Sequence, residues 1–292
     1  MTSADHPTEL VWQSPDGLEL FARDYGPADA EGVPVICVPG LTRNSLDYED
    51  VAPWLAGLGR RTIAIDLRGR GRSQNAADPA SYRLPVYAQD IIALADRLGF
   101  EQVHILGTSL GGMIAMQMAR SHLPRLAGAV LNDIGPRIER AGIERISGYA
   151  SSAPVVKTWP DAVAYARHIA GTVFPRYSET DWQRFAARMF VEMPDGELRP
   201  TYDPAATRQA PSWIMPLARY MMWRNFRRLA RKRPTLVLRG EGSDILSAKT
   251  LARMHRTAPG LKSREIPGAA HTPDLNEPAA REALQAFFAS VD

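Results

Sequence analysis

Short apolar runs and stretches of helical spacing alternate along this chain, stop alternating in its middle, and then resume. Leu10 to Gln13 and Leu18 to Arg23 flank Ser14-Pro15-Asp16-Gly17, which predicts a hairpin with a Pro/Gly turn. Val33 to Val38 is a short apolar run ending at Pro39-Gly40 and predicts a buried strand. Asp47 to Leu58 places Val51, Trp54, Leu55 and Leu58 on one helical face. Arg61 to Leu67 is the next predicted strand, followed by the loop Arg68-Gly69-Arg70-Gly71-Arg72-Ser73. Val86 to Leu98 is an amphipathic helix, Gln102 to Thr108 a strand, Met113 to Ala119 a helix and Leu126 to Leu131 a strand ending at Asn132-Asp133. From Pro136 to Arg233 only helical stretches recur: Trp159 to Gly171, Asp181 to Glu192 and Trp213 to Arg231. Thr235 to Leu238, Ala248 to Thr257, Ser263 to Ile266 and Pro278 to Ala289 then read as strand, helix, strand, helix.

Alternating strands and helices predict an α/β fold, a mostly parallel central sheet with helices on both faces. Residues 1–135 and 234–292 would form this core, and residues 136–233 a helical cap inserted in it. An insertion at that point lies over the C-terminal edge of the sheet, where α/β proteins bind ligands.

Composition narrows the class. The chain has 292 residues, 45% hydrophobic and 23% charged, with a net charge of +3. This is ordinary for a soluble globular protein and too weakly basic to argue for a nucleic-acid partner. The dense basic run Arg224, Arg227, Arg228, Arg231, Lys232, Arg233 reads as a solvated helix face, with attraction of anionic substrates or a membrane surface as the alternative. Met1 to Glu9 lacks the pattern of a signal peptide, and no apolar run approaches the roughly 20 residues of a membrane span. The single cysteine, Cys37, sits in an apolar run and excludes an internal disulfide framework. A cytoplasmic location is expected.

The candidate chemistry centres on Ser109. It lies in Gly107-Thr108-Ser109-Leu110-Gly111-Gly112, between a predicted strand and a predicted helix. A sharp strand-to-helix turn lifts the hydroxyl clear of the sheet and places it at a helix N-terminus, which favours developing negative charge. A serine needs a base, and the base needs an orienting acceptor. His271, in the loop after the last predicted strand, is at the same sheet edge and is the expected base. His6, His104, His122, His168 and His255 sit on a terminus, a strand or helices and read as packing or surface residues. Asp244, just past the strand that begins at Thr235, is the expected acid. Asp133 is the alternative, and Glu241 a weaker one. Oxyanion donors are expected from the backbone N–H groups of Leu41 and Leu110.

At these residues the chain resembles the α/β-hydrolase superfamily, and within it the capped serine esterase, lactonase and carbon–carbon-bond hydrolase group. Val38-Pro39-Gly40-Leu41 is similar to the oxyanion loop, Asp66 to Ser73 to a loop typical of the family, and residues 107–112 to the nucleophile elbow. Residues 240–244 and 268–271 are similar to the acid and base loops, and the order Ser, Asp, His is the family's. Two features depart from the pattern. Pro39-Gly40 stands where relatives commonly have His-Gly, and the acid loop is one residue longer than the frequent Gly-x-x-Asp. A serine in the elbow argues against relatives with an aspartate nucleophile.

The resemblance implies acyl transfer to water, with a small-molecule ester or lactone as partner. A medium-sized, partly hydrophobic substrate is expected, with Trp213, Tyr220, Met222 and Trp223 lining its pocket. Two alternatives stay open: a carbon–carbon-bond hydrolase of keto acids using the same triad, and a ligand receptor on the same fold. No cofactor is expected. No cluster has metal-ligand spacing, and Gly69 and Gly71 do not complete Gly-x-Gly-x-x-Gly because position 74 is Gln.

Overall fold

The structure is a computed structural model and describes residues 7–150, 155–207 and 215–291. In chain order, β1 (Thr8–Gln13), β2 (Glu19–Tyr25), β3 (Gly32–Val38), α1 (Val51–Gly57), β4 (Arg60–Ile65), α2 (Leu84–Arg97), β5 (Val103–Thr108), α3 (Leu110–Ser121) and β6 (Leu126–Asn132) build the first part. The middle holds α4 (Arg140–Ala150), α5 (Trp159–Ala170), α6 (Glu179–Ala187), β7 (Phe190–Glu192), β8 (Leu198–Pro200) and α7 (Met215–Lys232). The chain ends with β9 (Thr235–Gly240), α8 (Ala248–Thr257), β10 (Lys262–Ile266) and α9 (Pro278–Phe288).

The eight-stranded sheet has the order β1-β2-β4-β3-β5-β6-β9-β10. β1 with β2 and β2 with β4 pair antiparallel, and the remaining neighbours are parallel. The central strands β3, β5 and β6 are buried apolar runs, as a sheet covered on both faces requires. β10 instead exposes Lys262, Ser263, Arg264 and Glu265, charges that suit an edge strand. One face of the sheet carries α2, α3 and α7, whose Ile91, Leu94, Ile114, Met118, Phe226 and Leu229 share one core cluster. The other face carries α1 and α9 with Leu55, Leu284, Phe287 and Phe288. Successive strands step from β3 to β4 on one side, then to β5 on the other. The resulting crevice opens at the C-terminal ends of β3 and β5.

The expected insertion divides in two. α5, α6 and the β7–β8 hairpin close around their own small core of Val156, Ala162, Ala166, Trp182, Phe190 and Leu198. That hairpin was not expected from the sequence, because three-residue strands are too short to show a period of two. α4 was not expected either; it lies against the loop after β9, and a Cβ on Gly142 would stand 2.3 Å from Ile245 Cδ1. α7 leaves the insertion and packs against α3 in the main core, with Phe226 and Leu229 fully buried.

Candidate active site

Ser109 stands at the corner between β5 and α3 with φ 50° and ψ −106°, in the left-handed half of backbone space that a side chain normally avoids. The turn survives because its neighbours have no Cβ. At Gly107 an added Cβ would lie 2.4 Å from the Gly111 carbonyl carbon, and at Gly111 it would lie 2.1 Å from the Val38 carbonyl oxygen. The strand, the helix and the C-terminal end of β3 therefore touch backbone to backbone. Below the turn, the buried Tyr48 hydroxyl donates to the Val38 carbonyl at 2.7 Å and lies 3.0 Å from Thr108 Oγ1, tying β3 to β5.

The structure brings three side chains into one line. His271 Nε2 is 3.1 Å from Ser109 Oγ, and His271 Nδ1 is 2.7 Å from Asp133 Oδ2. The Asp133 side chain is fully buried, and 6% of the His271 side chain is exposed. Asp133 follows β6 directly, with φ 52°. Its Oδ1 accepts the Gly240 N–H at 2.9 Å, and its Oδ2 also accepts the Ser243 hydroxyl at 2.6 Å. A buried carboxylate with this many donors is compensated for lost hydration.

Asp244, the expected acid, is not the imidazole's partner. The loop that carries it supplies donors to Asp133 through Gly240 and Ser243, while Asp244 itself turns to α4. There Arg145 Nε and Nη2, on α4, hold its two oxygens at 2.6 and 2.8 Å. The guanidinium keeps the Asp244 carboxyl below its ordinary range. Glu241, the weaker alternative, accepts the Gly268 N–H at 2.9 Å.

Leu110 is the first residue of α3, where an N–H has no intrahelical acceptor, and Leu41 lines the cleft above Ser109. A Cβ on the intervening Gly40 would sit 3.9 Å from Ser109 Cβ. The loop lacks the histidine common in relatives, and a residue that sequence reasoning left without a role stands in support of it. The buried Arg70 donates from Nε to the Leu41 carbonyl at 2.9 Å, and from Nη1 to Tyr87 Oη and to the Arg68 carbonyl, each at 2.8 Å. Arg68 is pinned in turn by Asp90 and Asp16. The signal available was the arginine-rich loop itself, charged residues inside a glycine turn close to the sheet edge.

The cleft over Ser109 has a volume of ≈ 130 Å³. Apolar walls come from Ile146, Ile169, Val173, Phe174 and Met189, and polar ones from Arg43, Arg145, Tyr149 and Tyr177. The residues expected to line it are elsewhere. Met222 and Trp223 pack in the main core, and Tyr220 is 66% exposed on α7. Trp213 lies outside the described residues. Met222, Trp223 and Phe226 bury in the core because α7 packs on α3 and returns the chain to the sheet before β9 begins.

The family profile described as alpha/beta hydrolase fold matches residues 33–278. The chain belongs to the alpha/beta hydrolase fold family. Across 281 residues this alpha/beta hydrolase is 32% identical to the 3-hydroxybutyrate-oligomer hydrolase of Cupriavidus necator, covering 94% of each chain. It is 29% identical to the 2-(acetamidomethylene)succinate hydrolase of Mesorhizobium japonicum, covering 87% of this chain and 86% of the relative. An alpha/beta hydrolase from Novosphingobium aromaticivorans has a solved structure that superposes with a TM-score of 0.87 at 38% identity, covering 97% of this hydrolase and 98% of that chain. The protein is a hydrolase, and among the described residues no helix is long and apolar enough to cross a membrane.

Proposed function

We propose that this protein hydrolyses carboxylic esters or lactones through Ser109, His271 and Asp133 by way of an acyl-enzyme. The observation that carries the reading is the unbroken line from Ser109 Oγ through His271 to the buried Asp133 carboxylate. His271 Nε2 takes the Ser109 proton as Oγ attacks the ester carbonyl. The Leu41 and Leu110 N–H groups receive the oxyanion. Collapse of the tetrahedral adduct breaks the C–O bond to the alcohol, which leaves with the proton from His271. Water, deprotonated by the same imidazole, then attacks the acyl-enzyme, and its collapse returns the acid and the free serine. Asp133 holds the Nδ1 proton and thereby presents the basic Nε2 lone pair to Ser109. A space of ≈ 130 Å³ holds a group of about six heavy atoms, which suits a short acyl chain.

A chain-length series of 4-nitrophenyl esters tests this with the protein and its Ser109→Ala variant. The expected result is release that peaks at about four to six acyl carbons and vanishes in the variant. No release from any ester by the folded protein would overturn the ester reading and turn attention to keto acids.

A further inference from the structure

Three arginines, Arg43, Arg145 and Arg188, line the cleft, and the first two are each held by a single carboxylate in the same way. Arg145 meets Asp244 side-on through Nε and Nη2. Arg43, two residues beyond the oxyanion residue Leu41, meets Asp47 side-on through Nε at 2.8 Å and Nη2 at 2.5 Å. The Arg43 guanidinium is stacked over the Phe185 ring of the cap at 4.3 Å from its centroid. Its Nη1 is buried and has no acceptor among the described residues. A buried N–H without a partner is costly, and an acceptor brought by a ligand would relieve that cost. The point a Cβ on Gly40 would occupy is 3.6 Å from Arg43 Cγ and 3.9 Å from Ser109 Cβ, so this side chain starts beside the nucleophile.

Tyr149 joins the pair. It stands four residues after Arg145 on α4 and so on the same helix face, it lines the cleft with both arginines, and it feels the charge of each. Burial raises its phenol above the ordinary range, so it stays protonated and able to donate. Each guanidinium is thus fixed by a carboxylate on one edge. That fixation removes the rotamer freedom a long side chain would otherwise lose on binding.

We infer that Arg43, Arg145 and Tyr149 form a carboxylate-binding subsite beside Ser109, so that the preferred substrate is an ester bearing a free carboxylate within a few bonds of the scissile group. This rests on the hydrolase reading above and names its substrate class. An anionic substrate would also explain why a largely apolar cleft keeps charged side chains so close to the nucleophile, where two isolated ion pairs add little to stability.

The test compares matched pairs of esters. Mono(4-nitrophenyl) glutarate is set against 4-nitrophenyl valerate, which places the carboxylate on the acyl side. 3-Butyryloxybutanoate is set against 3-butyryloxybutanamide, which places it on the alcohol side. We expect kcat/KM to favour the acid by about tenfold or more in at least one pair. That ratio should collapse in Arg43→Met and Arg145→Met through a rise in KM for the acid, and persist in Arg219→Met on the outer face of α7. Inhibition of the unmodified protein by 3-hydroxybutanoate more strongly than by its amide gives the same answer should a variant fail to fold. Ser109-dependent turnover with no acid preference in either pair would overturn the subsite and leave the hydrolase reading standing. No Ser109-dependent turnover of any of the four would overturn the ester-hydrolysis reading itself.

Discussion

Two aspartates, Asp133 and Asp244, follow neighbouring strands at the same sheet edge, and only one can orient the imidazole. Asp133 is fully buried with three donors around it, counting His271, whereas Asp244 is part-exposed and spent on Arg145. Asp133→Asn should therefore lower kcat by about 10⁴-fold by misdirecting the imidazole tautomer. Asp244→Asn should lower turnover of a neutral 4-nitrophenyl ester by less than about tenfold. Steady-state kinetics of the two variants side by side would reveal the difference. Ser109 and His271 were legible as neighbours at one sheet edge because each follows the C-terminal end of a predicted strand. The acid was not, since the choice depends on which loop supplies donors and which supplies the carboxylate. Arg70 was illegible for a related reason: its acceptor, the Leu41 carbonyl, lies 29 positions earlier in the chain.

At the scale of elements, α7 shows where periodicity misleads. Its apolar positions read equally well as the wall of a cleft or as the buried stripe of a core helix. Phe226 settles it by being fully buried among α3 and sheet residues. Phe226→Ala should cost about 3–5 kcal/mol of global stability, read from the urea midpoint, because it opens a void in a close-packed layer. Chain-length preference toward esters should not move. The central strands β3, β5 and β6 were legible because each is a run of buried apolar residues between turn signals. In the middle of the chain, α4 and the β7–β8 hairpin were not. Their residues are largely exposed or small, and their positions follow from contacts such as Gly142 against Ile245.

For the molecule as a whole, one buried histidine links the central sheet to the C-terminal helix and to pH. His104 on β5 lies edge-on to Phe287 and Phe288, and neither ring nitrogen has a hydrogen-bond partner among the described residues. Burial, with a smaller contribution from Arg60, pushes its imidazole down to about 4. In the unfolded chain the same group titrates near the ordinary 6.5, so between these values the unfolded state binds a proton that the native state refuses. Its contribution is fully present above about pH 6.5 and is lost as pH falls toward 4. Urea denaturation at pH 7 and at pH 4.5 should show His104→Leu losing less stability on acidification than the parent protein, by roughly 2–3 kcal/mol. The position of Asp133 has a different kind of reach. It is the residue just after β6, only seven positions before α4 begins, and its donors Gly240 and Ser243 come from beyond the far end of the insertion. The residues that hold Asp133 thus lie on both sides of the insertion. A segment transplanted from a relative could be joined downstream of Ile134 and upstream of β9 with those anchors kept, and the insertion that the sequence outlines, 136–233, already falls inside these limits.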